Sequence, residues 1–319
     1  MTKWGLGCQH PKISFFRRAC PACPDVFCQG AFYGVRRESV RGFHKASDFV
    51  KTLHRLLSRP ANLLRLRYTK ISMEYRFATE RGNYEDLASG NVFYSLPGHP
   101  AFPIRLASEI YQRCLDWRGA ANCPCTIFDP CCGAAYSISV IAYLHWDTVS
   151  RVICSDVDEK AVQLAERNLS LLTPTGMERR IREIATMVRL YHKDSHKSAL
   201  ESISRMRDQV ALLTAVRPIS GRVFRANATD AASLQEGLQG SPIDILLTDI
   251  PYGQHSQWEQ SATKNPTWSM LEALSGFLSP TTVLGIAADK HQKIAHEKYG
   301  RLEKFQSGKR QVVILRPLS

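Results

Sequence analysis

Two apolar periods alternate along this chain, and from about residue 96 the alternation becomes regular. Leu106, Ile110, Cys114 and Leu115 recur at helical spacing, just after the turn chemistry of Pro97-Gly98-His99-Pro100. Thr126-Ile127-Phe128 reads as a short strand closed by Asp129-Pro130, and an apolar helix follows over residues 137–144. A strand over 151–155 and a helix over 159–172 come next. Residues 223–225, 243–248 and 282–286 read as three more strands. Lys304-Phe305 and residues 312–315, separated by Gly308, read as a closing antiparallel pair. Strands alternating with helices predict an α/β domain, a mostly parallel sheet with helices on both faces.

One stretch interrupts this rhythm. Ile181, Ile184, Val188 and Tyr191 form one helical stripe, and Leu200, Ile203, Met206, Val210 and Leu213 form another. Ser198-x-x-Glu201 has the form of a capping box for the second. The expectation is a helical hairpin inserted over about 177–217, its apolar stripes used for packing. Before residue 73 the order is weak. Phe49, Leu53, Leu56 and Leu57 give one helical stretch, stopped by Pro60.

Charge sharpens that boundary. The chain carries 42 Lys+Arg and 29 Asp+Glu in 319 residues, a net charge of +13. Residues 1–72 hold 14 basic and 3 acidic residues, which leaves 28 and 26, a net +2, for residues 73–319. The reading is therefore a basic, poorly ordered extension over 1–72 joined to a nearly neutral domain over 73–319. An Arg-rich, acid-poor extension also permits organelle targeting, with the cytoplasm as the default location. No apolar run approaches the length of a membrane span. Cys8, Cys20, Cys23 and Cys28 lie early, but their spacing fits a zinc site poorly, and free thiols with no metal are expected.

Three motifs carry chemistry. The first runs from Phe128 through Asp129-Pro130-Cys131-Cys132-Gly133-Ala134-Ala135 to Tyr136, a strand that ends in an acid and turns tightly into a helix. Small residues let a ligand approach the backbone, and the helix N-terminus is electropositive. A pyrophosphate turn would carry G-x-G-x-x-G, and only Gly133 is present. An acid there suits instead a ligand with an ammonium or sulfonium group, as in S-adenosylmethionine. The second motif is Ser155-Asp156-Val157-Asp158, whose first acid is placed to accept two ribose hydroxyls. Asn227, after the third strand, is placed to bond an adenine edge. Each of these alone is equally a helix cap or a turn. The third is Thr248-Asp249-Ile250-Pro251-Tyr252-Gly253, at the carboxyl end of an apolar strand. A carboxylate and a carbonyl can accept the hydrogens of a planar amine, and an aromatic ring can stack on a flipped base.

These motifs together resemble the avilamycin-resistance class of ribosomal RNA methyltransferases. The resemblance is carried by residues 97–113, Asp129-Pro-Cys-Cys-Gly133, Ser155-Asp-Val-Asp158, Asn168-Leu-Ser-Leu-Leu172, Thr248-Asp-Ile-Pro-Tyr-Gly253 and Trp258-Glu259. It covers about 73–319 and leaves 1–72 untouched. It implies a Rossmann-like methyltransferase fold, S-adenosylmethionine as cofactor, and a guanine of large-subunit ribosomal RNA, free or in a ribosomal particle, as substrate. Antibiotic resistance would follow from the site methylated. By motif, Asp129, Cys131 and Gly133 would line the methionine end of the cofactor, Asp156 would hold the ribose and Asn227 the adenine. Asp249, Pro251 and Tyr252 would face the base. Two departures stand out. Gly133-Ala134-Ala135 replaces a Gly-Ser-Gly-like run, and alanine at a position with φ > 0 would strain the loop. Asn227 replaces an acid.

Two other readings compete. One is a methyltransferase for another planar amine, a DNA adenine or a protein glutamine. The other is a non-catalytic RNA-binding protein on a decayed methyltransferase fold. Arg105 and Arg113 serve equally as phosphate contacts or as ion-pair partners. Asp289, Lys290 and Lys293, after the fifth strand, are candidates for RNA contact at the site edge. Trp258 is a stacking platform or a loop anchor.

Overall fold

Strand β1 (Cys125–Asp129) is buried along its whole length and lies in the interior of the sheet, third of its seven strands. The computed structural model describes residues 74–96, 101–119, 123–250 and 265–318. The early cysteines, the Phe49–Pro60 stretch, the turn at 97–100, Pro251, Tyr252 and Trp258 lie outside the described residues.

After β1 come β2 (Val149–Asp156), β3 (Ser220–Arg225), β4 (Ile245–Asp249), β5 (Val283–Asp289), β6 (Tyr299–Ser307) and β7 (Arg310–Pro317). Among the described residues these form one sheet of seven strands, in the order β3-β2-β1-β4-β5-β7-β6. The first five strands pair in parallel, and β7 pairs antiparallel with both β5 and β6. The chain reverses its direction of travel across the sheet between β1 and β4. In open α/β sheets, ligands bind at such a switch point, outside the carboxyl ends of the strands.

The sheet is covered on both faces, and the period of two along the strands shows it. Ile127 joins one apolar cluster and Phe128 the other, and Leu246 and Leu247 divide the same way. On the first face lie α1 (Ile104–Arg118), α2 (Tyr136–Leu144), α3 (Glu159–Ser170), α4 (Pro174–Tyr191) and α5 (Asp194–Val216). On the second lie α6 (Ala231–Leu238) and α7 (Pro266–Leu274). Helix α1 sits close to β5 because Gly285 has no side chain. A Cβ there would come within 2.7 Å of Ile110 and 2.8 Å of the Cys114 sulfur.

Helices α4 and α5 form the hairpin that interrupts the alternation. Thr173 caps α4 by accepting from the Gly176 N–H at 3.1 Å, with Pro174 in the first turn. Ile184, Ile203, Met206 and Val210 are buried between and beneath the two helices. The capping box expected at Ser198 is not used as a cap. Helix α5 begins at Asp194, four residues earlier, and Ser198 lies within its first turns. Helices α6 and α7 show no clear period in the sequence: each spans only about two turns and, unlike the equally short α2, neither is a largely apolar run.

The segment before α1 is held by buried charge. Glu109 accepts from the backbone N–H groups of Arg76 (2.8 Å), Phe77 (3.0 Å) and Ala78 (2.8 Å) and from Arg113 Nε (2.7 Å). Burial opposes its charge, but these donors outweigh it and hold the carboxyl below its ordinary range. Arg113 is buried, donates to the Glu74 carbonyl and pairs with Glu303. Arg105 donates to the carbonyls of Ala78 and Thr79, both at 2.8 Å, and lies over the Tyr75 ring. Both arginines are therefore occupied in fastening this segment: of the two roles the sequence left open, Arg113 takes the ion pair, and Arg105 donates to carbonyls instead of pairing with an acid. Among the described residues no helix is long and apolar enough to cross a membrane.

Candidate active site

Strands β1, β2 and β4 each end in an aspartate, and their carboxyl ends lie side by side. Asp129 closes β1. It is 7% exposed, and its Oδ1 accepts from the Cys131 N–H at 3.0 Å. Burial pushes its carboxyl up to about 7, and the carboxylates of Asp156 and Asp249 add to the rise. Such a group gains from a cationic neighbour.

The chain then turns through Cys131 and Cys132. The Cys132 N–H donates to the Ser155 carbonyl at 3.0 Å, which ties the turn to the end of β2. Burial raises both thiols well above their ordinary range, so neither is a thiolate. Cys131 is thus a small neutral side chain, partly buried against the second apolar cluster. Among the described residues no cluster of His, Cys, Asp or Glu could hold a metal ion.

Gly133 has φ +52° and donates its N–H to Asp156 Oδ2 at 2.8 Å. No atom lies within 4 Å of where a Cβ on this residue would stand, so the loop is open on that side. Two residues on, Ala135 also has φ +52°. The strain expected of the Ala134-Ala135 pair thus falls on Ala135 alone, and costs about 1–2 kcal/mol for an L-residue. Surrounding contacts hold it. Its N–H donates to the Cys132 carbonyl at 2.7 Å, and its methyl group is 1% exposed. Helix α2 starts directly after it with no side-chain cap, so its first N–H groups carry the positive end of the dipole undiminished.

Asp156 is fixed at both oxygens. Oδ2 accepts from Gly133, and Oδ1 accepts from the Asp158 N–H at 3.0 Å. Burial raises its pKa. Each oxygen retains a second lone pair for a ligand hydroxyl. Asp158 caps α3 by accepting from the Lys160 N–H.

Asn227 follows β3, and Ala226 ties this end to β2 through a bond from its N–H to the Asp156 carbonyl at 3.0 Å. The Asn227 side-chain oxygen accepts from Thr229 N–H (3.0 Å) and Thr229 Oγ1 (2.9 Å). Both of its lone pairs are used in that turn. Its amide nitrogen has no such partner among the described residues, so only its donor side is left for a base edge.

Asp249 ends β4, with Arg310 Nε 4.0 Å from its Oδ2. Arg310 opens β7 and lies over the Phe102 ring at 5.2 Å. The next residue explains a feature of the motif. Ile250 is fully buried, and its N–H donates to the Ala287 carbonyl at 3.0 Å, extending the β4–β5 ladder. A proline there could not make that bond.

One organising residue stands in a stretch that carries the resemblance, Asn168-Leu-Ser-Leu-Leu172, where the sequence assigned it no role. Asn168, on α3, is fully buried. Its Oδ1 accepts from the Tyr94 N–H (2.8 Å), while Nδ2 donates to the carbonyls of Tyr94 (3.0 Å) and Ala134 (2.8 Å). It therefore clamps the turn after β1 to the 92–94 segment. The Tyr136 hydroxyl makes a second tie to this segment, donating to the Leu87 carbonyl at 2.8 Å. The available signal was an asparagine in line with Ala161, Ala165 and Leu169 on the apolar side of α3.

Comparison with known proteins identifies the family. Residues 73–310 match the family described as rRNA methyltransferase AviRa. A 23S rRNA (guanine(2535)-N(1))-methyltransferase from Streptomyces viridochromogenes is 37% identical over 242 residues, covering 76% of this chain and 95% of the relative. A crystal structure of the rRNA methyltransferase AviRa from Streptomyces viridochromogenes superimposes with a TM-score of 0.69 at 35% identity, covering 76% of this chain and 96% of that one. A second structure of the same protein gives a TM-score of 0.68 at 36% identity, with the same coverage.

Proposed function

The chain belongs to the AviRa family of rRNA methyltransferases, and from that membership we propose that it methylates N1 of a guanine in 23S rRNA with S-adenosylmethionine. The guanine is the counterpart of the one named for the 37% identical relative. The observation that carries the reading is the row of three aspartates, Asp129, Asp156 and Asp249, at the adjoining carboxyl ends of β1, β2 and β4.

The residues suit that cofactor. Asp129, with its carboxyl near 7, is relieved by a sulfonium or ammonium cation. Gly133 leaves its side of the loop open. Asp156 offers its remaining lone pairs to the ribose hydroxyls, and Asn227 its amide N–H to the adenine. When bound, S-adenosylmethionine supplies an electrophilic methyl group. Asp129, Cys131, Gly133, Asp156 and Asn227 are the residues that would hold it.

On the substrate side, guanine N1 carries a proton, and its lone pair is spread into the ring amide. The nitrogen becomes nucleophilic as that proton leaves. Asp249 is the acceptor, and the Arg310 guanidinium offsets the charge on its carboxylate. By motif, Pro251 and Tyr252 face the base with Asp249, and the Tyr252 ring stacks on it once flipped. Holding the base in line then supplies much of the rate. The substrate is rRNA, free or in a ribosomal particle, and the work is done in the compartment that holds those ribosomes, the cytoplasm by default or an organelle if residues 1–72 target one. Resistance to an antibiotic that binds at the methylated guanine would be a consequence. Residues 1–72 are a basic extension to this domain, and their removal is expected to weaken RNA binding and its salt dependence.

The test is substitution of Asp249. Asp249→Ala should lower methyl transfer to 23S rRNA by about 10²- to 10⁴-fold, the range for loss of a general base. Calorimetric affinity for S-adenosylmethionine should stay unchanged. Undiminished transfer would overturn the role given to this residue.

A further inference from the structure

Beside the aspartate row, the sheet ends in a basic ledge. We infer that the β5–β6 connection and the β6–β7 turn form a rigid platform for the phosphate backbone of the RNA substrate, held there by Lys290, Lys293 and Lys309. The inference rests on the rRNA reading of the site.

Position comes first. β5 neighbours β4, with Asp249 paired to Ala287, and β7 neighbours β5, with Asp289 paired to Arg310. The end of β5 and the start of β7 therefore lie at the same end of the sheet as Asp249. Arg310 spans the remaining gap, with Nε 4.0 Å from Asp249 Oδ2. An RNA strand held on this ledge would run directly past the base-facing acid.

Rigidity comes second. The Lys290 N–H donates to the Lys309 carbonyl at 3.1 Å and joins the two loops. Gln311 is 1% exposed, and its amide nitrogen donates to the carbonyls of Asp289 (2.9 Å) and Gln292. The Asp289 N–H donates to Gln292 Oε1 at 3.1 Å. Of the acids that flank these lysines, Asp289 at the end of β5 accepts from the His291 N–H at 2.9 Å, and Glu297, late in the β5–β6 connection, accepts from the Trp268 indole N–H at 3.2 Å. A fixed scaffold spares the ordering cost that a mobile loop would add on binding.

Charge comes third. Lys290, Lys293 and Lys309 are exposed, and none of their ammonium groups has an ion-pair partner among the described residues. Several arginines elsewhere are consumed internally: Arg113 by Glu109 and Glu303, Arg118 by Asp244, Arg180 by Glu183. Three such lysines are gathered on one ledge of a domain, residues 73–319, that carries only +2 in total. Lysine binds phosphate as a mobile point charge and fixes the strand's position without reading its sequence.

The test uses the full chain with Lys290, Lys293 and Lys309 all changed to alanine, and a companion with all three changed to arginine. Steady-state methyl transfer to 23S rRNA is measured over a salt series, together with equilibrium binding of the same RNA. The alanine variant should raise KM for RNA about tenfold or more, with kcat within about twofold and cofactor affinity unchanged. Its log–log salt slope for RNA binding should fall by about 2, at roughly 0.7 for each phosphate that a lysine neutralises on single-stranded RNA. The arginine variant should restore both. Unchanged KM and salt slope in the alanine variant would overturn the inference. If the wild-type protein bound RNA but transferred no methyl, the functional reading would fail, and the binding slopes would still decide the platform.

Discussion

Asp129 shows what the site costs the fold. In the unfolded chain its carboxyl has the ordinary value of 3.8, and in the fold it lies at about 7. Folding therefore favours the protonated form. The stabilisation is complete below the unfolded value and is lost as pH rises through about 7. Asparagine keeps an oxygen for the Cys131 N–H and carries no charge. Asp129→Asn should thus melt higher than the wild type at about pH 8, with the difference shrinking toward about pH 5, while affinity for S-adenosylmethionine falls. Thermal melts across that range check it, and a difference independent of pH would contradict it. Ile250 is the opposite case, a departure from the motif that serves the structure. Its buried side chain and its bond to Ala287 continue the sheet directly beside Asp249.

At the scale of elements, the turn after β1 is held from outside its own sequence. Asn168 reaches it from α3 and fastens Ala134 to the segment containing Tyr94. Asn168→Ala removes three hydrogen bonds in a buried place and should cost about 3 kcal/mol of stability, at roughly 1 kcal/mol for each bond. Because Ala134 loses its tether, affinity for S-adenosylmethionine should fall as well. Urea melts and cofactor titration measure the two effects, and a stability loss with unaltered affinity would refute the positioning role. This tether also marks the limit of what was legible. The strands and the acids that close them could be read, since buried parallel strands are short apolar runs and Asp129, Asp156 and Asp249 interrupt them. The ties from Asn168, Glu109 and Tyr136 could not, because each joins residues dozens of positions apart and leaves no period. Helices α6 and α7 are too short for their apolar stripe to rise above chance, and the Ser198 capping box matched a common pattern that α5 bypasses. Asn227 was placed correctly in order, but the use of its side-chain oxygen by Thr229 depends on the turn it sits in.

At the scale of the whole molecule, the architecture sorts its charge by task. Acids close the central strands, at the end where the proposed function places a cationic cofactor and the proton of a guanine amide. Buried arginines bind the segment before α1 to the sheet. Exposed lysines stand at the edge of the same end, where an RNA strand would pass. The proposed activity is methyl transfer to one guanine N1 of 23S rRNA, as named for the 37% identical relative. A methyl at N1 blocks Watson–Crick pairing, so primer extension on rRNA incubated with the protein and S-adenosylmethionine reads it directly. One new cofactor-dependent stop is expected, at a single large-subunit guanine, absent with Asp249→Ala. Label transferred to DNA or protein, or no stop on free rRNA and ribosomal particles alike, would contradict it.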